Sequence, residues 1–569
     1  MNRFVVAALF IILVVGAVLR AYRLDTPRFN NDEAFAWRLA IKPLPELLIT
    51  AAGDTTPPAH YLALKVWMHL WGTSAIALRA LSVLCGALLI VAVYGVVVEA
   101  ARWGNVSRSA AGFGGFTAAL LTAVHSFQLT PNRTARMYGL GALLAVVSMW
   151  LLLRALRADR RRESASPSPR IDRPYAWWTA YGVCAALYLL THHFALFTLA
   201  GQGLFALWCA FAPRASFTTY NSRFTVTSRS EQGYLRRSIL LAGAIALLIY
   251  SPWLPAGIAQ TSRVSEDFWV EAPTLDDWGH AFVRWCVGID RADTTWITVC
   301  VAGAVLVVAR TLWVRHRSHH APRDVSSRGA RGLPSDVSSR GARGLRCCNA
   351  AAIALLGQAA LPWIAIVLMA TVGDRPMLQD RYLAFSQVSW LALLGVVVAS
   401  IARPESRVAV AVSVIGVTLL GTQQFVAELP PGPSGIVAAS ERLARDYLSG
   451  GVVVVQRPPD VNCLKFQLRQ HGATDVDIRA VLRPWPTSGH INHVASLDSG
   501  EFLSRIEDLP AEVPQLWFAG TPDKFPGGGN LPGWQWIEEI TYKGHGEQAP
   551  DYILRRYERP DGAPAVPIP

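Results

Sequence analysis

Apolar runs of bilayer-spanning length recur along the first 420 residues and constrain the fold more than any other feature of the chain. They cover Phe4–Leu19, Ala75–Glu99, Ala110–Val124, Tyr138–Leu156, Ala176–Thr191, Ala195–Phe211, Ser238–Pro255, Trp296–Val314, Ala350–Val372, Leu383–Ala402 and Val408–Leu420. A helix needs about 20 apolar residues to cross the ~30 Å hydrocarbon layer, so these runs predict about eleven crossings. The first run follows Arg3 as a signal peptide would, but no clear A-x-A cleavage site follows it, and it reads as an uncleaved span. With 569 residues, 52% hydrophobic and 16% charged, the chain is too apolar for one soluble domain and too polar for spans alone. A polytopic α-helical membrane protein with a soluble part fits.

The net charge of +13 would suit nucleic acid, yet the arginines cluster in short loops between apolar runs, where the positive-inside rule accounts for them. No nucleic-acid partner is needed. Counted alternately from a cytoplasmic N-terminus, Arg157–Arg173, Arg214–Arg237 and Arg315–Arg346 all fall inside. The other face of this inner or plasma membrane then receives an outer loop, 23–74, together with Gln128–Met137, Glu266–Asp293, Gly373–Tyr382 and the C-terminal part. The 8 cysteines form no CxxC pair, so neither a zinc site nor a disulfide framework is indicated.

From about Pro430 the composition becomes soluble, which divides the chain into a membrane domain, 1–428, and an extracytoplasmic domain, 429–569. Helical spacing over Ile436–Leu448 and Val461–His471, with strand-like runs at Val452–Gln456, Val476–Leu482, Gln515–Ala519 and Tyr552–Arg556, predicts a small α/β domain. It has no G-x-G-x-x-G loop and no P-loop, so no nucleotide site is indicated. Gly527–Gly529 and Pro560–Pro569 predict loop and a disordered tail. An identical DVSSRGARGL repeat at Asp324–Leu333 and Asp336–Leu345 is too polar to bury a core and predicts a flexible cytoplasmic loop.

The residues that suggest chemistry gather on the outer face. Between Arg28 and Tyr61 an adjacent acidic pair, Asp32 and Glu33, is followed by Asp54 and a Pro57-Pro58-x-His60-Tyr61 turn. Carboxylates at a membrane face act as bases, metal ligands or helix caps, and Asn31 and Asp32 can start a short helix at Glu33. Asn132, Arg133, Arg136 and Tyr138 begin one span, with the two arginines i and i+3 on one helical face, while Arg381 and Tyr382 begin another. A single arginine at a helix end snorkels to the headgroups. Several on the face that carries Asp32 and Glu33 suit a phosphate-bearing substrate next to a base. His192 reads as an interfacial hydrogen-bonding residue and His193 as a candidate ligand or donor. The need for a divalent cation such as Mg2+ or Mn2+ stays open, since Asp32, Glu33 and His193 are far apart and no ligand spacing constrains them.

Taken in order, NNDEAFAW, DTTPPAHYLALKVWMHLWG, RTARMYGLGALLAVVSMWLLLRAL and QDRYLAFSQVSWLALLG resemble the GT-C membrane glycosyltransferases. The chain is most similar to the protein mannosyltransferase and aminoarabinose transferase superfamily (glycosyltransferase family 39-like), over roughly its first two thirds. The resemblance implies transfer of a hexosyl or pentosyl group from a polyprenyl-phosphate donor to a protein, lipid or glycan acceptor outside the cytoplasm, with inversion. It makes Asp32 the general base, with Glu33 orienting it or a metal. It places Arg136, Tyr138, Arg381 and Tyr382 at the donor phosphate and His60 and Tyr61 at the substrate; by their position on the outer face, Arg133 joins the phosphate candidates and Asp54 and His193 the substrate candidates. The HY pair departs from the aromatic variation of the family and leaves the role of His60 open. Two other classes compete: a flippase or transporter of a lipid-linked sugar, and a non-catalytic membrane scaffold.

Overall fold

The structure, a computed structural model, describes residues 3–103, 106–164, 174–211, 229–266, 272–290, 336–373, 377–481, 497–522, 531, 533–545 and 548–560. Every apolar run within these residues contains a helix; the run Trp296–Val314 lies outside them. Among the described residues, 7 helices are long and apolar enough to cross a membrane, and the pair Arg108–Val124 and Ser126–Arg133, bent by 64°, makes an eighth candidate. Pro174–Leu189 and Ala195–Phe211, of 16 and 17 residues, fall short of a perpendicular crossing of about 20 residues. These two helices and the run outside the described residues make up the difference from the expected eleven. The second DVSSRGARGL copy is not the expected loop: it begins the helix Asp336–Thr371, continuous with the alanine-rich segment that follows. The first copy lies outside the described residues.

The bent pair shapes the face of the bundle that carries the loop 23–74. A helix that breaks inside a bilayer leaves carbonyls that lipid cannot satisfy. Here Arg20 from the first helix, Arg3–Ala21, supplies the donors: it donates to Ala123 O at 2.9 Å and to Thr122 O at 2.8 Å. Beyond the break Gln128 donates to Ala384 O and to Gln387 Oε1, which ties the turned segment to the helix Asp380–Ser400. That helix packs on Arg108–Val124 at close backbone approach: a Cβ on Gly114 would stand 2.3 Å from Gly395 O. Glycine at both positions lets the two helices meet, as small residues do in membranes. The start of Asp380–Ser400 is thereby fixed beside the segment that runs from Arg133 to Tyr138.

The loop 23–74 folds as three short helices, Asn31–Ile41, Leu44–Gly53 and Ala59–Trp71. After the last long membrane helix, Pro404–Glu428, comes a sheet of β1 (Val452–Val455), β2 (Asp477–Val481), β3 (Phe502–Leu503), β4 (Gln515–Gly520), β5 (Gln535–Tyr542) and β6 (Tyr552–Glu558). Its order is β3-β2-β1-β4-β6-β5. The β1–β2, β1–β4 and β2–β3 pairs are parallel, whereas β6 is antiparallel to both β4 and β5. β1 is four valines, all buried, as a central strand covered on both faces requires. Helices Gly435–Asp446 and Pro458–Gln470 cover one face. The α/β expectation holds, and two strands join it that the sequence reading lacked: β3, of only 2 residues, and the edge strand β5, whose residues QWIEEITY are mostly exposed. Gly527–Gly529 and 561–569 lie outside the described residues.

One apolar cluster joins this loop to the sheet domain, with Phe29, Phe35, Trp37 and Leu39 from the loop packed with Ile436, Val461, Leu464 and Phe466. The loop and the domain therefore stand on the same side of the helical bundle.

Candidate active site

The helix that carries Asp32 begins at a reciprocal cap. Asn30 Oδ1 accepts from the Glu33 N–H at 2.9 Å, and the Asn30 N–H donates back to Glu33 Oε2 at 3.1 Å. The cap is thus Asn30, one residue before the expected Asn31, and Asp32 is left without that duty. Glu33 is buried completely and fully occupied: Arg79 Nε donates to its Oε1 at 2.8 Å, Arg79 Nη2 to its Oε2 at 2.7 Å, and the Ala135 N–H to Oε1 at 2.8 Å. Arg79 also donates to the carbonyls of Leu24, Pro27 and Arg28. The pair fastens three pieces of chain together: the end of the first span, the Asp32 helix and the segment that carries Arg136.

Asp32 is held differently. Its carboxylate is about a third exposed, and Oδ2 lies 3.1 Å from Arg381 Nη1, which reaches it from the start of Asp380–Ser400. Arg136 donates from Nη1 to the Asp32 carbonyl at 3.2 Å, while its Nε is buried without a hydrogen-bond partner among the described residues. Burial opposes the charge on Arg136, but Asp32 first, then Tyr61, Tyr138 and Asp54, outweigh it and raise its pKa above the usual arginine value. A cationic fork is therefore preserved beside the carboxylate.

Behind the fork, Tyr61 donates to Asp54 Oδ2 at 2.8 Å. Burial raises the pKa of Asp54 above the ordinary carboxylate value, although Arg136 pulls the other way. His60, whose role the sequence left open, has its pKa pushed down to about 3 by burial and by Arg136. It is a neutral imidazole whose Nε2 donates to Ala135 O at 3.2 Å, so it supports the Arg136 segment from beneath. Tyr138 and Tyr382 stand in an aromatic wall with His192, whose ring centroid lies 6.0 Å from Tyr138, 5.5 Å from Tyr382 and 5.1 Å from Phe385. Burial, then His193, Arg136 and Arg381, hold His192 well below its usual pKa.

Three sequence expectations meet different surroundings. Arg133 does not share a helical face with Arg136, because residues 134–137 are not helical. Its guanidinium instead donates to the carbonyls of Leu19, Arg20, Tyr22 and Arg23, closing the C-terminal end of the first helix where a cation is favoured. His193 faces Gln260 Oε1 at 3.1 Å, and it is His192 that joins the wall around Tyr382. The set Asp32, Glu33 and His193 is not assembled, since Glu33 is taken by Arg79; among the described residues no three His, Cys, Asp or Glu side chains form a metal-ligand group. Sequence reasoning misses Arg79, Arg20 and Asn30, and it gives His192 only an interfacial hydrogen-bonding role. For Arg79 a signal existed, because an arginine inside an apolar run, here Ala75–Glu99, is costly unless paired.

No protein-family model and no curated protein matches the chain. Among solved structures it is similar to ArnT from Cupriavidus metallidurans in the apo state, at 14% identity over 97% of each chain with a TM-score of 0.55. The same protein bound to undecaprenyl phosphate aligns at 15% identity over 97% of this chain and 98% of that one, with a TM-score of 0.51. The chain has the GT-C fold. The archaeal oligosaccharyltransferase AglB from Archaeoglobus fulgidus is a more distant likeness, at 13% identity, 91% and 69% coverage and a TM-score of 0.46. GT-C architecture and the apolar helices make the chain a multi-pass membrane protein with a small extramembrane sheet domain.

Proposed function

We propose that the protein transfers a sugar from a polyprenyl-phosphate carrier to a hydroxyl-bearing acceptor outside the cytoplasm, with inversion at the anomeric carbon. The observation that carries this reading is a part-exposed carboxylate, Asp32, held between two arginines, one by its side chain and one by its backbone. In that chemistry the acceptor oxygen forms a bond to C1 as the bond from C1 to the phosphate oxygen breaks. The hydroxyl proton passes to Asp32 and the electron pair leaves with the lipid phosphate. Arg136 and Arg381 stabilise the charge that develops on the departing phosphate, which they do without titrating. A phosphate that engages Arg381 competes with Asp32 for the same guanidinium and turns the carboxylate toward the acceptor. Attack from the face opposite the leaving phosphate gives inversion. The related fold of ArnT holds undecaprenyl phosphate, which supports a carrier of this class. Glu33 acts through Arg79 as a positioning residue, and Tyr138, Tyr382 and His192 wall the donor.

Purified protein given a radiolabelled polyprenyl-phosphate sugar should release the sugar to an acceptor. Movement of the intact carrier without cleavage would identify a flippase, and neither outcome a scaffold. In the same assay Arg381→Lys keeps the charge but loses the planar fork. It should raise the donor KM roughly tenfold, about the weight of one charge-assisted hydrogen bond; unchanged donor kinetics would remove Arg381 from the phosphate site.

Orientation follows from loop charge: the N-terminus lies in the cytoplasm, and the Asp32 loop and the C-terminal domain lie outside the inner membrane. A membrane-impermeant thiol probe applied from outside should label a cysteine placed at Glu512 and leave one at Arg340 unlabelled. The reverse pattern would invert the topology.

A further inference from the structure

We propose that the C-terminal domain is a clamp on the helix that carries Asp32, with Phe466 and Cys463 as positioning residues for the base; this rests on the reading of Asp32 given above. The domain's helix Pro458–Gln470 lies against Asn31–Ile41. The Phe466 ring stacks on Phe29 with centroids 3.8 Å apart and planes 13° apart, and it meets Trp37 edge-on at 5.4 Å. Cys463 Sγ donates to Asn31 Oδ1 at 3.0 Å and lies 3.6 Å from Phe29 O. Phe29 and Asn31 flank the cap residue Asn30, and Asp32 follows directly. The domain therefore grips the residues on both sides of the cap.

The contact is dry at its centre and polar at its rim. Phe29, Trp37, Cys463 and Phe466 are all buried. Around them, Arg28 pairs with Asp460 at 3.4 Å, and Arg38 pairs with Asp498 and Glu501, each at 2.8 Å. The Arg28 N–H also donates to Gln548 O at 2.8 Å, a backbone tie between loop and domain. Domains joined by small polar contacts move against one another by default, whereas a shared apolar core resists this. Helix Asn31–Ile41 is thus held from the membrane side by the Glu33–Arg79 pair and from the opposite side by Phe466. A base works only within hydrogen-bond reach of the proton it takes, and a misplacement of ~1 Å can cost ~10²-fold in rate. The clamp places the carboxylate opposite Arg381.

The test uses the full chain in detergent. Phe466→Ala empties the stack from the domain side and Phe29→Ala from the loop side. The second variant leaves the domain's sequence unchanged, so a misfolded domain cannot imitate the effect. In both, amide exchange over residues 31–36 should quicken while β1 stays protected. Turnover should fall by roughly 10- to 100-fold with the donor KM close to wild type. Unchanged exchange over residues 31–36 in both variants would overturn the clamp. Faster exchange with unchanged turnover, or a loss carried by KM alone, would overturn its role in positioning the base. Asp32→Asn is measured alongside. Normal turnover in that variant would sink the reading of the base, and the exchange result would still decide whether the domain holds the helix.

Discussion

Asp32→Asn should fold and insert normally and lose turnover by on the order of 10²–10⁴-fold, the weight of a positioned general base. Asparagine keeps the shape of the side chain and an oxygen toward Arg381 but cannot take a proton. If the carboxylate were a cap, Asn would be tolerated and Ala would destabilise, because Asn caps about as well as Asp. The structure separates these cases, since Asn30 holds the cap and Asp32 lies in the first turn with its side chain on Arg381. Asp32→Ala should therefore cost no more than the ~0.3–1 kcal/mol that a charge in the first helical turn contributes. Turnover is to be measured with a polyprenyl-phosphate sugar on protein shown to be folded by size-exclusion profile and thermal unfolding. Near-normal turnover of folded Asp32→Asn would return the residue to a structural role.

Glu33→Gln should act through stability. From sequence alone this substitution looks like a mild control for its neighbour. In the structure it leaves the Arg79 guanidinium, 2% exposed, with carbonyl partners and no counter-charge. Removing one member of a buried ion pair costs about 3–5 kcal/mol, far more than an exposed pair would. Because Ala135 and Asn30 also lose a charged acceptor, the loss should spread to the Arg136 segment and the start of the Asp32 helix. The double variant Glu33→Gln with Arg79→Met removes the stranded charge and should recover part of the stability. Denaturant unfolding of the four species gives the coupling. A Glu33→Gln protein as stable as wild type would show that the pair does not hold the outer loop.

The two neighbours thus divide the labour by direction along one helical turn. Glu33 points inward to Arg79 and Asp32 outward to Arg381, and nothing in the dipeptide itself says which way each faces. The reading of the arginines shows the same limit. Arg133 and Arg136 are three residues apart, and on a continuous helix they would share a face. The non-helical 134–137 segment sends one to the end of the first span and the other to Asp32.

The sequence by itself determined most of the membrane helices, the small α/β domain that follows them and the central strand of four valines. These follow from hydrophobicity and period, which are local properties, because each helix or strand must bury its own apolar residues. It also pointed to Asp32, Arg136 and Arg381 through polar residues clustered on one face and through resemblance. Only the tertiary structure decided that Asp32 meets an arginine 349 residues away, that Glu33 is spent on Arg79, and that Phe466 seals the loop from the far end of the chain. Those contacts depend on helix crossings such as Gly114 on Gly395 and on a helix break closed by Arg20. Such packing is set jointly by distant segments, so no local period in the sequence records it.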